Sequence, residues 1–355
     1  MINNGTQMLT PAFQVKINGA SLPYEATTNL YSATVCQDVE APDMFTLRLL
    51  NWDMMKLKFT WVDEDLFTEG NEVEIQMGYV DKLKTMIIGE ITGLEPEFCA
   101  NTPSTLLVRG FDRQHRLLRG RSTRSFIQIK DSDIADQIAK EYGLTANVED
   151  TGVTLEYVLK HNQTDYEFLQ ERAQRIGYEV TVNGKTLLFR SRQNHSGEFL
   201  TLDRSRDLIE FYPRSTTLGQ TDNVAIHAWN PRDKAKIVGK AGIGDEVSSM
   251  GGSITGMQIA KQVFDEANLV TVNCPVSNQA EADQIAKGQL NGMALSYIHG
   301  EGTCVGNTTL KAGIVIKLTD LGERFSGSYY VTSTRHTYST KFGYRTMFTV
   351  RRNST

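Results

Sequence analysis

A two-residue alternation of apolar and polar positions recurs through the first and last thirds of the chain. Phe13, Val15 and Ile17 share one face of an extended segment that runs into Asn18-Gly19, the dipeptide best suited to a tight hairpin turn. Further strands are predicted at 31–35, 44–50, 73–79, 86–94 and 105–110, each rich in β-branched, aromatic or long aliphatic residues. About six or seven short strands joined by short turns make a barrel or a sandwich. The stretch 309–352 repeats the pattern: runs at 314–318, 329–334 and 344–350 are separated by Gly-bearing turns at 320–322, 326–328 and 341–343. That order is an antiparallel meander with both faces partly covered, as in a small barrel whose outer wall packs on neighbours.

Between these regions the period changes. In DSDIADQIAKEYG, Ile134, Ile138 and Tyr142 fall on one helical stripe, with Asp131 or Ser132 to cap the start and Gly143 to close the end. In TDYEFLQERAQRIG, Thr164 and Glu167 stand in capping-box spacing ahead of Leu169, Ala173 and Ile176. A two-residue hairpin follows, 178–182 and 186–189 around Asn183-Gly184. Two helices and a hairpin predict an α/β domain inserted over 125–200. Strands resume at 207–212 and 223–229, a short helix is predicted at 257–267, and a longer one at 278–297 has Asn278 and Glu281 at its start. Gly288 and Gly292 weaken that last helix by about 1 kcal/mol each, which points to close packing against a neighbour. The glycine-dense stretch 238–256 reads as a flexible loop, the most mobile or most partner-dependent part of the chain.

The 355 residues, 40% hydrophobic and 22% charged, suit a globular protein with two or three cores. A net charge of -5 argues against a main role in gripping phosphate backbones. No basic segment precedes an apolar core near the start, and no apolar run approaches membrane-spanning length, so neither secretion nor a membrane span is expected. Cys36, Cys99, Cys274 and Cys304 have no regular spacing and are expected to be buried thiols.

The search for chemistry returns little. Arg109, Arg113, Arg116, Arg119, Arg121 and Arg124, with His115, form a basic strip, but it lacks interleaved aromatics, so a solvated or subunit-contact role is preferred over nucleic-acid binding. The GKAGIG segment lacks the Lys-Ser or Lys-Thr pair of a phosphate-binding loop. No metal-ligand spacing links the six histidines, and His336, inside a strand, is expected to be partly buried and bonded to backbone. Glu95 with Glu97, or Asp63 with Glu64 and Asp65, can be imagined as a glycosidase pair, yet neighbours of this kind are usually solvated turns. Nothing specifies an enzyme, a cofactor or a metal.

Several long phrases carry a resemblance. TDYEFLQERAQRIGYEVTVNGKTLLF, the segment from GNEVEIQMGYV to RGRSTRSF, and the closing run GIVIKL, GERFSG, YYVTSTRHTYS and GYRTMFTVRR resemble the phage late control gene D family, the baseplate hub shared with VgrG-like spike proteins of type VI secretion and other contractile injection systems. The resemblance covers nearly all of 13–352 and is weakest at 205–255. It implies a mainly β fold with an α+β insert: a flexible arm at 1–12, a first tube-like antiparallel β-barrel at 13–124, the α/β insert at 125–200, and a second barrel with a helical insertion at 201–355. It also implies a homotrimer in a phage tail or injection-system baseplate, assembled in the bacterial cytoplasm. An inner tube or tube initiator would lie above, a separate spike polypeptide below, and wedge proteins around it. Gly313, Gly322, Gly327, Tyr330 and His336 carry over as structural signature residues, with Ser326–Ser328 turning the chain. A tail-associated cell-wall hydrolase and a peripheral receptor- or carbohydrate-binding tail protein are the alternatives from other classes.

Overall fold

The computed structural model describes residues 10–355. Of the expected arm 1–12, residues 1–9 lie outside the described residues, and Pro11 already opens the first strand. The elements follow in three groups. The first contains β1 (Pro11–Ile17), β2 (Ala20–Ser21), α1 (Tyr24–Asn29), β3 (Leu30–Asp38), β4 (Met44–Leu50), a small hairpin of β5 (Trp52–Asp53) and β6 (Lys58–Phe59), then β7 (Glu72–Tyr79), β8 (Lys82–Glu97) and β9 (Thr105–Asp112). The second contains β10 (Ser122–Ile129), α2 (Asp131–Glu141), β11 (Thr145–Val148), β12 (Leu155–Gln163), α3 (Asp165–Arg175), β13 (Tyr178–Asn183) and β14 (Thr186–Ser191). The third contains β15 (Leu200–Asp203), β16 (Leu208–Ser215), β17 (Asn223–Asn230), β18 (Ala235–Gly242), α4 (Gly256–Phe264), β19 (Asn268–Thr271), α5 (Gln279–Ala294), β20 (Ile298–Val305), β21 (Val315–Thr319), α6 (Gly322–Phe325), β22 (Gly327–Ser339) and β23 (Gly343–Arg352).

The fold is mainly β, and its first and last groups share a single 13-stranded sheet in the order β16-β20-β23-β22-β3-β4-β9-β8-β7-β1-β2, with β21 and β15 branching from β22. The joint is β22. Its first part pairs with β21 (Gly327 to Tyr330), its second with β3 (Ser333 to Ser339), and β23 runs along its other side. On β23, Tyr344 belongs to one core while Phe348 and Val350 belong to the other. Even spacing puts all three on one face, so the sheet encloses both cores on the same side. At one end it bends back until Phe13 of β1 meets Tyr338 of β22, ring centroids 4.4 Å apart. At the other, β15 and β16 are joined by a tight turn in which Asp207 N–H donates to the Asp203 carbonyl at 2.8 Å. Among the described residues no hydrogen-bonded ladder closes either curl into a ring.

The α/β unit packs α2 and α3 with a two-stranded sheet (β10-β12) and a three-stranded one (β11-β14-β13) around a core of its own. Thr164 caps α3 as its spacing predicts: its hydroxyl accepts from Glu167 N–H at 3.1 Å and Glu167 accepts in return at 3.0 Å. The start of α2 differs. Lys130 is the N-cap and Asp131 is already helical, because its carboxylate is held by the Arg172 guanidinium at 2.6 and 3.0 Å.

The helical insertion sets α5 against the sheet β18-β17-β19. Here the expected loop at 238–256 is corrected in its first part only: while 243–254 holds no helix or strand, Ala235–Gly242 pairs residue for residue with β17. Its glycine has a packing cause, since a Cβ at Gly239 would lie 2.2 Å from the Ala282 carbonyl of α5. Gly288 likewise lets α5 approach the end of α3, where a Cβ would be 2.7 Å from the Ile176 backbone, whereas Gly292 has nothing within 4 Å.

Candidate functional site

The signature residues occupy three places around β22 and β23. His336, wholly buried, lies where the two cores meet. Its Nε2–H donates to the carbonyl of Leu310, a residue of the second core, at 3.0 Å. Its Nδ1 therefore accepts, taking the hydroxyls of Tyr344 at 2.8 Å and Thr346 at 3.2 Å, and Tyr344 belongs to the first core. Burial pushes the imidazole pKa down to about 3, so the ring is neutral at ordinary pH.

Tyr330 ties the large sheet to the α/β unit. Its hydroxyl donates to the Glu179 carboxylate on β13, at 2.7 and 2.6 Å to the two oxygens, and Arg192 Nε donates to the same carboxylate at 3.2 Å. Burial pushes Glu179 above the usual carboxylate range, with Tyr330 and Arg192 pulling the other way. Gly313, at φ +80°, sits beside this pair: a Cβ there would be 3.8 Å from the Tyr330 hydroxyl and 3.6 Å from the Arg190 guanidinium.

Gly322 and Gly327 stand apart from both. The expected turn at 326–328 is displaced, because α6 makes the reversal and Gly327 is already the first residue of β22. Gly322 opens α6 at φ +74° with open space around it, so its role is conformational. Gly327, at φ +138°, makes room for a buried arginine: a Cβ would lie 2.6 Å from the guanidinium of Arg352, which donates to the Ser326 carbonyl at 2.8 Å and lies over the Tyr329 ring.

The basic strip is largely neutralised within the chain. Arg109 pairs with Glu95 at 3.0 Å, Arg116 with Glu90 at 2.9 Å, Arg124 with Glu141 at 2.8 Å, and Arg113 and Arg121 with Glu72 and Glu167. Of the six, Arg119 alone has no carboxylate partner among the described residues. Glu95 and Glu97 are accordingly half-exposed ion-pair partners on β8, the latter 3.7 Å from Arg48. Cys99 is exposed, contrary to the expected burial, while Cys304 is buried and the other two thiols are half-buried. Among the described residues no three His, Cys, Asp or Glu side chains gather as a metal site.

Sequence reasoning missed a pair of buried acids. Asp43 and Asp112 border a cavity of about 390 Å³ between the first curl, the α/β unit and the 311–313 segment, with Glu179, Arg190 and Lys311 also on its wall. Burial raises both, Asp43 to about 7. One Asp112 oxygen accepts from Gln114 N–H at 3.0 Å and the other has no partner among the described residues. Two such carboxylates resist ionising together and can hold a proton. No local sequence signal marks the pair, since Asp43 and Asp112 meet only through the ladder between β4 and β9. The arrangement as a whole is one of joints between units.

The 43 kDa tail protein of prophage MuSo2 from Shewanella oneidensis has a similar structure, with a TM-score of 0.72 at 14% identity over 97% of this chain and 98% of that one. A tail protein from Neisseria meningitidis MC58 gives 0.70 at 14% identity, over 97% of each chain. An E. coli protein described as a component of the type VI secretion system, with structural similarity to T4 bacteriophage tail proteins, gives 0.62 at 13% identity over 96% of this chain and 77% of that one. At these identities the likeness is one of fold, and it runs end to end. No curated protein matches the chain by sequence. A family model described as the Alg8 N-terminal domain matches residues 7–340, and the chain belongs to that family.

Proposed function

We propose that this chain is a structural hub of the baseplate of a contractile phage tail or injection machine. The observation that carries the reading is the end-to-end likeness of fold to phage tail proteins. In this reading 13–124 and 201–355 are two open tubes, 125–200 is the insert that braces them, and three copies form a ring. A contractile tube has sixfold rings and a piercing spike is threefold, so a trimer presenting two similar curls per chain offers each tube subunit one curl. Two same-sided curls sharing β22 support that geometry. The spike is a separate polypeptide below, the tube or its initiator lies above, wedge proteins surround the ring, and assembly takes place in the bacterial cytoplasm.

The role is structural and without catalysis. Arginines and carboxylates that might have done chemistry spend themselves on one another, and Gly313, Gly322, Gly327, Tyr330 and His336 act in folding and packing. Light scattering of the purified chain, alone and with its spike, is expected to give a trimer. A cryo-electron microscopy map of the particle is expected to show six curls in one ring beneath the tube. A monomer under both conditions would count against the hub, and a ring with one curl per chain would sink the adaptor role.

A further inference from the structure

The chain presents two apolar surfaces that its own fold does not cover. The first is the β5–β6 hairpin, whose tip holds Met54, Met55 and Leu57 at 81%, 94% and 73% exposure. The hairpin is braced. Asp53 accepts from the N–H groups of Met55 and Lys56 at 2.8 and 3.0 Å, and the rings of Trp52, Phe59 and Phe98 meet edge-on at 5.1 and 4.8 Å. At its base the buried Asn51 accepts from Trp61 N–H at 2.8 Å. A backbone held in one shape loses little freedom on docking.

The second surface lies on the helical insertion. Helix α4, GMQIAKQVF, carries one charge, yet only Gly256 and Met257 are buried. Val263 and Phe264 at its end are 63% and 69% exposed, and Val270 and Val272 nearby are 50% and 65% exposed. β19 is the outer strand of its sheet, and a groove of about 520 Å³ runs beside it, past Leu269 and Val270. An apolar helix face and strand of this kind are normally covered.

Two observations indicate that a second copy covers them. Two outer strands of the large sheet are guarded against strand pairing: β16 contains Pro213, which has no N–H to offer, and β2 is only two residues long. At those edges the contact left to a second copy is side-chain packing. The flanking charges are also complementary, for once Lys56 has paired with Asp53 and Lys261 with Glu266, Lys58 beside the hairpin tip and Asp265 beside α4 remain without ionic partners among the described residues. We infer that the β5–β6 tip of one copy docks on the α4–β19 surface of the next. The inference rests on the trimer proposed above and supplies its contact. Because the two surfaces differ, the contact is heterologous, and a ring of three leaves no tip and no groove unfilled.

The test uses the full chain with Cys36, Cys99 and Cys274 changed to Ser, carrying Met55→Cys and Val263→Cys together or singly, and a short bis-maleimide cross-linker. The pair is expected to give dimer and trimer bands on a denaturing gel, and each single variant none. Met55→Glu, in the native-cysteine chain, is expected to shift assembly to about tenfold or higher concentration while the protomer's thermal unfolding is unchanged. A trimer by light scattering that yields no 55–263 cross-link and ignores Met55→Glu overturns this contact and leaves the hub standing. A monomer at every concentration overturns both. Cross-linked dimers from Met55→Cys alone mean that the tip faces its own copy, which overturns the heterologous arrangement.

Discussion

Both curls of the large sheet hold an apolar core, but they differ in the polar groups buried beside it. The first encloses Phe45, Leu47, Leu49, Val73, Ile75 and Val108, all fully buried and all apolar. The closing strands of the second bury Tyr329, Tyr330, His336, Thr346 and Arg352, each bonded to another group. Apolar packing is non-directional and rewards any close fit. Buried polar groups are costly unless one particular partner is in place. The first curl thus supplies bulk stability, while the second fixes which neighbours β22 takes, a choice it must make among β21, β23 and β3.

The sharpest way to break this contrast is Phe45→Ala, which should cost about 3–5 kcal/mol through lost contacts and the cavity left behind. Urea unfolding followed by probes in both curls is expected to show a common, lowered midpoint, because the shared ladder makes them one cooperative unit. Separate midpoints would mean that β22 does not couple them.

In the second curl the penalty should depend on pH. His336→Gln is expected to cost about 1–3 kcal/mol at pH 7.5, where the neutral imidazole serves Leu310, Tyr344 and Thr346. The sign below that follows from its lowered pKa. Between the ordinary 6.5 and the folded value of about 3, the unfolded chain holds the proton and the folded chain does not, so the parent loses up to about 1.4 kcal/mol per pH unit as pH falls. The gap between parent and variant should therefore narrow by about 2 kcal/mol at pH 5. Asp43, raised to about 7, acts in the opposite sense, weakening the fold as pH rises from about 4 to 7, but it is common to both proteins and cancels in the difference. A gap independent of pH would place a proton on the ring.

Gly327→Val tests the room that Arg352 needs. A loss of about 1–3 kcal/mol and poorer particle assembly are expected, from a positive φ and a clash with the guanidinium. Relief by a second change, Arg352→Ser, would separate the clash from the backbone strain. The smallest effect is a pair on α5: Gly292→Ala should stabilise by up to about 1 kcal/mol, while Gly288→Ala should destabilise because the Ile176 backbone cannot give way. Equal gains from both would mean that α5 does not press on the end of α3.

What could be read in the sequence was local. Phe13-Val15-Ile17 before Asn18-Gly19, the Thr164–Glu167 box and the Asn183-Gly184 hairpin all declare themselves within a few residues, and all stand in the structure. The errors arose where a distant neighbour sets the local choice. Gly239 reads as part of a loop because the helix residue that needs its smallness, Ala282, comes some forty residues later. Asp131 looked like a cap until Arg172 claimed it. The basic strip reads as a solvated or subunit-contact stretch, and nothing near it names its carboxylates Glu72, Glu90 and Glu95, which lie on other strands. Tyr330 could be singled out by resemblance, but nothing near it names Glu179, 151 positions away.

The ladder between β22 and β3 joins Thr334 to Gln37 across a separation of 297 residues. On a ribosome adding about 5–20 residues per second, β3 is made roughly 15–60 seconds before the strand that will cover its flank. During synthesis the first curl must wait with one side of β3 bare, close to nascent copies of the same strand on other ribosomes of the same messenger. An unpaired strand in that interval is the natural template for pairing between chains. The yield of this protein should therefore depend on how quickly the residues between β3 and β22 are made, and slow translation or a truncation before β22 should leave aggregates built from the first curl.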